Sequence, residues 1–138
     1  MNREVIYDIS VSDFQNLRER VKWNKLDDNQ VYKALNNSMI NVSVKVDERV
    51  VGIGRIVGDN CLKGMLTDIM VDPDYQGLGI GKLIVTSLIS KLDYQVGVGE
   101  SFQLEASPTA NNREFYIKCG LKYKPENQDG TYLWIKGE

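Results

Sequence analysis

The chain has 138 residues, of which 42% are hydrophobic and 26% are charged, and its formal net charge is −2. This length and composition are typical of one folded domain and exclude a disordered or collagen-like chain. The near balance of charge excludes a basic footprint for nucleic acid, and no apolar run is long enough to span a membrane. The amino terminus does not resemble a signal peptide. We therefore expect one domain over residues 1–138, in the cytoplasm, with neither nucleic acid nor a membrane as its partner.

The residue types restrict the chemistry. The chain has no histidine, which excludes Ser-His-Asp and Cys-His nucleophile systems and most zinc sites, so no metal is expected. Cys61 and Cys119 are predicted to be reduced thiols rather than a disulfide framework. Acid–base chemistry must then use tyrosine, aspartate, glutamate, lysine, cysteine or water.

The first half of the chain predicts two helices and four strands. A capping-box pattern of Ser12 and Gln15 predicts the start of the first helix, and Asp27 or Asp28 is predicted to begin the second. Apolar residues that alternate with period two predict half-buried strands, and short turns join the last three into an antiparallel meander. The predicted strands are residues 4–10, 40–46, 50–57 and 63–71.

The second half predicts a different pattern. A glycine-rich segment leads into a helix whose apolar residues recur at helical spacing from Ile80 to Leu92. A strand over 102–106, a short helix over 111–118 and two closing strands over 121–124 and 131–136 follow. The resulting order, β-α-α-β-β-β-α-β-α-β-β, predicts an α+β domain with a mixed, mostly antiparallel central sheet flanked by helices.

The loop between the predicted strand that ends at Val71 and the following helix has the features of an anion site. Glycines let the backbone approach a ligand closely, and the first helical N–H groups lack intrahelical partners and lie at the positive end of the helix dipole. A diphosphate would suit this loop. Neither phosphate-loop consensus fits, because Leu83 follows Lys82 and because Lys82 falls where the dinucleotide motif needs its third glycine. A tight turn that binds nothing is the alternative.

Two segments resemble the signatures of the GNAT family of N-acetyltransferases. Gln76, Gly79 and Gly81 match the family's Gln/Arg-x-x-Gly-x-Gly/Ala, within the segment 68–83. Segment 115–121, Phe-Tyr-Ile-Lys-Cys-Gly-Leu, is similar to Phe/Leu-Tyr-x-Lys-x-Gly-Phe and lies about forty residues further on. The resemblance covers nearly the whole chain and implies a GNAT-type fold, acetyl-CoA as the donor and an amine as the acceptor.

The resemblance also implies where acetyl-CoA binds. The backbone of Ile69, Met70 and Val71 is expected along the pantetheine arm, with one amide near the thioester carbonyl, where it would stabilise a developing oxyanion. The family's asparagine that contacts the pantetheine is replaced here by Thr109, and Asn111 or the adjacent Asn112 is expected to substitute for it. The residues expected around the diphosphate are Gln76, Gly77, Leu78, Gly79, Ile80, Gly81 and Lys82.

Three residues are candidates for catalysis. The resemblance places the family's general acid at Tyr116, whose neutral phenol would protonate the departing thiolate; the alternative is a packing aromatic. Glu105 or Asp68 is predicted to accept the amine proton, directly or through water. The alternatives are an exposed strand charge for Glu105 and a structural partner of a basic side chain for Asp68. Cys119 is interpreted as structural, since no histidine activates it.

The predicted function is transfer of an acetyl group to a primary amine of a small molecule by direct attack on the thioester. The alternatives are a protein or peptide amine as acceptor, and a CoA-binding module without catalysis. Trp23 follows the first helix, in a segment that the resemblance associates with the acceptor site, and partial core packing is its alternative. The oligomeric state is left open, and an exposed last strand would permit a homodimer.

Overall fold

A computed structural model describes residues 2–106, 113–125 and 130–136 of the chain. The strands are β1 (Arg3–Ile6), β2 (Ile40–Val46), β3 (Arg49–Gly58), β4 (Lys63–Val71), β5 (Ser101–Ala106), β6 (Lys122–Tyr123) and β7 (Thr131–Lys136). The helices are α1 (Val11–Arg20), α2 (Asp28–Asn36), α3 (Ile80–Gln95) and α4 (Arg113–Lys118), with a 3₁₀ turn over Pro73–Tyr75. The strands form one sheet in the order β1-β2-β3-β4-β5-β7-β6. The predicted fold class is confirmed.

The sheet is antiparallel except where β4 and β5 run parallel. The predicted meander of β2, β3 and β4 is therefore confirmed, and the parallel pair is connected through α3. Within the described residues, no helix has the length and apolar character that crossing a membrane would require.

Several predicted element ends were wrong. Helix α1 is capped by Ser10, whose hydroxyl accepts the Asp13 N–H at 3.0 Å, so Ser12 lies inside the helix. Strand β1 stops at Ile6, and just beyond it the Asp8 carboxylate accepts the Ile9 N–H at 2.9 Å. Such a local side-chain bond offers the backbone an alternative to a strand ladder. The cap of α2 at Asp27 is confirmed by its bond from the Gln30 N–H.

The last strand is not a free edge along its whole length. Strand β7 pairs with β5 from Thr131 to Lys136, and β6 covers its other side only at Thr131 and Tyr132. Within the described residues, the stretch from Leu133 onward has no strand on that side. The predicted helix over 111–118 is described from Arg113 onward, and Thr109, Asn111 and Asn112 lie outside the described residues.

Helices pack on both faces of the sheet. On one face α3 presses closely on β3, because methyl groups built on Gly52 or Gly54 would come within 2.8 Å or 2.5 Å of the Ile84 side chain. The two glycines thus let the helix lie directly on the strand, which sets its amino terminus beside the end of β4. Helices α1 and α2 cover the opposite face through an apolar cluster made of Ile9, Phe14, Leu17, Val31, Leu35, Ile53 and Met70.

Strand β4 contains a bulge at its centre. The register with β3 places Ile53 opposite Met70 and Arg55 opposite Thr67, so β4 has one more residue between these pairs than β3. Asp68 lies in this extra step with φ +54°, which is uncommon for a residue other than glycine. As a result Asp68 lies on the face covered by α2, where its carboxylate contacts Arg55 of β3. Ile69 packs on the other face, with the core cluster under α3.

Candidate active site

A cleft of about 730 Å³ lies between the end of β4, the start of α3 and α4. It brings the two sequence motifs together, because the glycine loop forms one wall and helix α4 forms the other. The residues that line it are Ile69, Val71, Tyr75, Gln76, Gly77, Gly79, Ile80, Gly81, Lys82, Phe115, Tyr116, Lys118 and Cys119.

The glycine loop has the geometry and charge of an anion site. Gly77 and Gly79 adopt φ +77° and +84°, a left-handed conformation that glycine tolerates without cost from a side chain. Gly79 caps α3 without a side-chain hydrogen bond, and the first turn of the helix has no acidic residue. The first N–H groups therefore remain available to a ligand. Among the described lining residues the charged ones are Lys82 and Lys118, both cationic. These features suit an anionic group such as a diphosphate.

Other residues of the predicted loop have more specific positions. The Gln76 amide donates to the Val71 carbonyl at 3.1 Å and so closes the loop onto the end of β4. A methyl group built on Gly81 would lie 3.3 Å from the Phe115 ring, so this glycine also lets α3 approach α4. Leu78 has an exposed side chain outside the cleft lining, and its carbonyl accepts a hydrogen bond from the Arg3 guanidinium.

Strand β4 has an open edge beside the cleft. The pairing of β4 with β5 runs only from Lys63 to Leu66, opposite Gln103 to Ala106. Beyond that point, within the described residues, 67–71 has no strand partner on the β5 side. Alternate N–H and C=O groups of such an edge are available to an extended ligand. The side chains of Ile69 and Val71 line the cleft, whereas Met70 is buried in the cluster on the opposite face.

Tyr116 and Cys119 are the buried titratable groups of the cleft. Burial raises the pKa of Tyr116 to about 12, with a smaller contribution from the nearby Cys119. Burial also raises the pKa of the Cys119 thiol, and Lys82 opposes part of that rise. At neutral pH the tyrosine is thus a hydrogen-bond donor and the cysteine is a thiol rather than a thiolate. The Phe115 ring meets the Tyr116 ring edge-on, with 5.2 Å between centroids, which fixes the phenol on α4.

The two candidate bases lie outside this cleft, each paired with a cation. The Asp68 carboxylate accepts the Arg55 Nε–H at 2.7 Å, and Arg55 also donates to the Ala34 carbonyl on α2. Glu105 lies 3.1 Å from the Lys124 ammonium, in a depression on the sheet face opposite α3. Glu105 points to this face because strand side chains alternate, and Phe102, Leu104 and Ala106 point into the core under α3. Asp68 reaches the same face through the bulge in β4.

A buried carboxylate anchors the start of the glycine loop. Asp72 is 1% exposed and lies 3.0 Å from both Arg20 at the end of α1 and Arg49 at the start of β3. It also accepts the Asp74 N–H at 2.9 Å and so caps the 3₁₀ turn that leads to Gln76. The bond from Arg20 lowers the pKa of Asp72, and burial opposes part of that effect. This network, which sequence analysis did not identify, ties the start of the loop to α1 and to β3.

Replacing Asp72 by asparagine is expected to destabilise the fold by about 1–3 kcal/mol, because two arginines lose their buried partner. Since folding lowers the pKa of Asp72, its contribution is complete above the unfolded value near 4 and is lost as the pH falls below it. Urea unfolding at several pH values measures this. Asp74→Asn, which removes an exposed ion pair to the same arginine, is the control and should change stability by less than about 0.5 kcal/mol. Equal effects of both variants would contradict the anchoring role.

The fold and this cleft define an α+β domain in which a glycine loop with nearby cations lies beside an open strand edge. The profile of the Acetyltransferase (GNAT) family matches residues 3–121. The chain therefore belongs to the GNAT family, whose members transfer an acetyl group from acetyl-CoA.

Individual relatives agree with this assignment. A histone acetyltransferase, TAP1, from Glycine max is 29% identical over 92% of this chain and 58% of its own length. An uncharacterized N-acetyltransferase, ycf52, from Porphyra purpurea is 32% identical over 91% of this chain and 72% of its own. The crystal structure of a probable acetyltransferase from meticillin-resistant Staphylococcus aureus superposes with a TM-score of 0.78 at 26% identity, covering 96% of this chain and 98% of that one. The chain thus spans little more than half of the soybean protein.

Proposed function

We propose that the protein transfers the acetyl group of acetyl-CoA directly to a primary amine, and that residues 1–138 form one catalytic domain. The observation that carries this proposal is the composition of the cleft. The uncapped start of α3 with its glycine loop, the open edge of β4 and the neutral phenol of Tyr116 all meet in it. These are the groups needed to bind a diphosphate, to align an extended arm and to donate a hydrogen bond to a leaving sulfur.

The proposed reaction is a direct displacement. Backbone N–H groups of the glycine loop, together with Lys82, bind the diphosphate, and the open edge at 69–71 aligns the pantetheine. The amine nitrogen attacks the thioester carbonyl carbon, and a strand amide stabilises the charge that develops on its oxygen. The carbon–sulfur bond then breaks with its electron pair on sulfur, and Tyr116 gives its proton to that thiolate and regains one from solvent. The amine proton leaves to a base or to water, so the products are an N-acetylated amine and CoA.

Glu105 and Asp68 remain the proposed bases. Both are on the sheet face opposite the donor cleft, and Asp68 lies in the bulge at the open stretch of β4. A gap between β4 and β5 would let an amine on that face reach the thioester on the other. Because each carboxylate is paired with a cation, either pair must loosen for its carboxylate to take a proton.

We expect one of the variants Glu105→Gln and Asp68→Asn to lower kcat/KM, with the largest loss at low pH, where most of the amine is protonated and needs a base. The expected reduction is roughly 10²-fold. The pH–rate profiles of both variants decide between the two carboxylates. Asp93→Asn, an exposed carboxylate on α3, is the charge-matched control. Wild-type profiles for both test variants would assign the proton transfer to water.

A small amine is the proposed acceptor. A groove of about 240 Å³ lies on the α1–α2 face and ends at the Asp68–Arg55 pair. The carboxylate would attract an ammonium group, and the volume suits a small molecule. Trp23 is 47% exposed near this groove's Arg18, whose guanidinium lies 5.3 Å from the indole ring, and we propose that it borders the acceptor. The groove is lined by Phe14, Arg18, Leu26, Gln30, Val31, Ala34, Arg55 and Asp68.

A protein amine is the second candidate, because the soybean relative is named a histone acetyltransferase. Thiol release from acetyl-CoA with a panel of amines tests the proposal. Turnover with small primary amines, above that with peptides carrying a free amino terminus or a lysine, supports it. Preference for a peptide supports the second candidate. Binding of CoA without release of thiol in the presence of any amine would contradict both and favour a non-catalytic CoA-binding module.

Two further proposals concern the oligomeric state and the cellular location of the protein. The half-open edge of β7 from Leu133 onward would allow two copies to extend one sheet, and we propose this edge as the contact if the protein is a homodimer. The cytoplasm remains the proposed location.

A further inference from the structure

Arg3 in β1 contacts the glycine loop across 75 positions of sequence. Its guanidinium donates a hydrogen bond to the Leu78 carbonyl, and Nη1 would lie 3.7 Å from a methyl group built on Gly79. The backbone of Arg3 is held in the sheet opposite Val46. A strand that belongs to neither motif thus brings a positive charge to the turn between β4 and α3.

We propose that Arg3 is a further binding residue for the diphosphate of the donor, an inference that rests on the proposed function. A guanidinium has five N–H donors in a fixed planar fork, so the bond to Leu78 leaves donors for a phosphate oxygen. Gly79 has no side chain to separate the guanidinium from the loop backbone. Lys82 in the first turn of α3 lines the cleft itself, whereas Arg3 reaches the loop at Leu78 and Gly79. Two cations from different elements therefore lie beside the loop.

The contact with Leu78 also removes an obstacle to anion binding. A carbonyl oxygen is a hydrogen-bond acceptor and presents negative partial charge, which disfavours a phosphate nearby. Arg3 occupies this oxygen and adds a full positive charge beside it. Because Arg3 is exposed, salt should screen its attraction for a phosphate, whereas the fixed N–H groups of α3 are a less salt-sensitive contribution.

The test is calorimetric titration of CoA and of dephospho-CoA, which keeps the diphosphate but lacks the 3′-phosphate. Each ligand is titrated into the wild type and into the variants Arg3→Gln and Lys33→Gln. Arg3→Gln is expected to weaken the binding of both ligands about tenfold at low salt, and by clearly less at about 0.5 M salt. Lys33→Gln removes the same charge from an exposed position on α2 and should leave both affinities unchanged. Arg3→Lys keeps the charge and should lose less than Arg3→Gln, with the salt dependence retained.

The outcomes separate this inference from the proposed function. A wild-type protein that does not bind CoA would contradict the proposed function itself. A wild type that binds while Arg3→Gln binds equally well overturns only the role of Arg3. Weakening that affects CoA but spares dephospho-CoA would assign Arg3 to the 3′-phosphate, and weakening independent of salt would make it a residue that only orients the loop. Either result overturns the proposal, provided that thermal unfolding shows the variants to be folded.

Discussion

Tyr116→Phe is expected to lower kcat roughly 10²–10³-fold while the affinity for acetyl-CoA stays within about twofold of the wild type. The variant keeps the ring and its edge-on contact with Phe115 and deletes only the hydroxyl group. Its fold should therefore persist. The leaving thiolate would lose the hydrogen-bond donor that Tyr116 provides from the wall of the cleft. Steady-state kinetics with thiol detection, together with calorimetric binding, separate the two effects.

The pH dependence of the wild type provides a second check on Tyr116. A donor must be protonated, and burial raises the pKa of this phenol to about 12. The protonated form therefore dominates up to about pH 11, and Tyr116 should cause no alkaline loss of rate between about pH 8 and 10.

The matched control for Tyr116→Phe is Tyr94→Phe, at a side chain that is 87% exposed on α3, and this variant should keep full activity. Full activity of Tyr116→Phe would instead mean that water protonates the sulfur.

Gly77→Asp is expected to weaken acetyl-CoA binding about 100-fold. Gly77 adopts φ +77°, and a Cβ atom placed there would have no atom within 4 Å. Aspartate tolerates this left-handed backbone better than most residues, so the main effect is a carboxylate in a loop that otherwise attracts a diphosphate. Two like charges about 4 Å apart near a protein surface repel by several kcal/mol, which is more than the 100-fold loss requires.

The matched control for this variant is Gly99→Asp. Gly99 adopts φ +81° and also has no atom within 4 Å of the added Cβ, but it lies between α3 and β5 and does not line the cleft. Both variants have the same charge and nearly the same backbone cost. The difference between their Kd values for acetyl-CoA therefore measures the effect of a carboxylate placed in the glycine loop. Equal affinities in the two variants would contradict the assignment of the loop to the diphosphate.

The element order could be predicted because each element has a local signature. Strand β4 was predicted over residues 63–71, which are its bounds in the structure, since apolar alternation and the turn before Lys63 are both local. The faces of β4 could not be predicted from alternation. One extra residue at Asp68 turns this side chain toward α2, and nothing in the neighbouring sequence marks the step. The partner that stabilises Asp68 there, Arg55, comes from β3 and depends on the strand register.

In the candidate site, too, residues in contiguous motifs could be predicted, whereas contacts between distant parts of the chain could not. The glycine loop and Tyr116 were predicted because they lie in contiguous motifs, and the structure brings both to one cleft. Cys119 was interpreted as a structural residue. It lines the cleft together with Phe115, because the short α4 has the core on one side and the glycine loop on the other. The contact of Arg3 with Leu78 joins distant parts of the chain, so only the packed sheet reveals it.

A crystal structure of the protein with CoA bound would show whether the cleft holds the donor. We expect the diphosphate at the N–H groups between Gly77 and Lys82, and the pantetheine hydrogen-bonded to the open edge of β4 at 69–71. We also expect the sulfur within about 4 Å of the Tyr116 hydroxyl, since a direct donor or one nearly in contact is needed. CoA bound outside this cleft, or within it but with its sulfur remote from both β4 and Tyr116, would rule out the proposed binding mode.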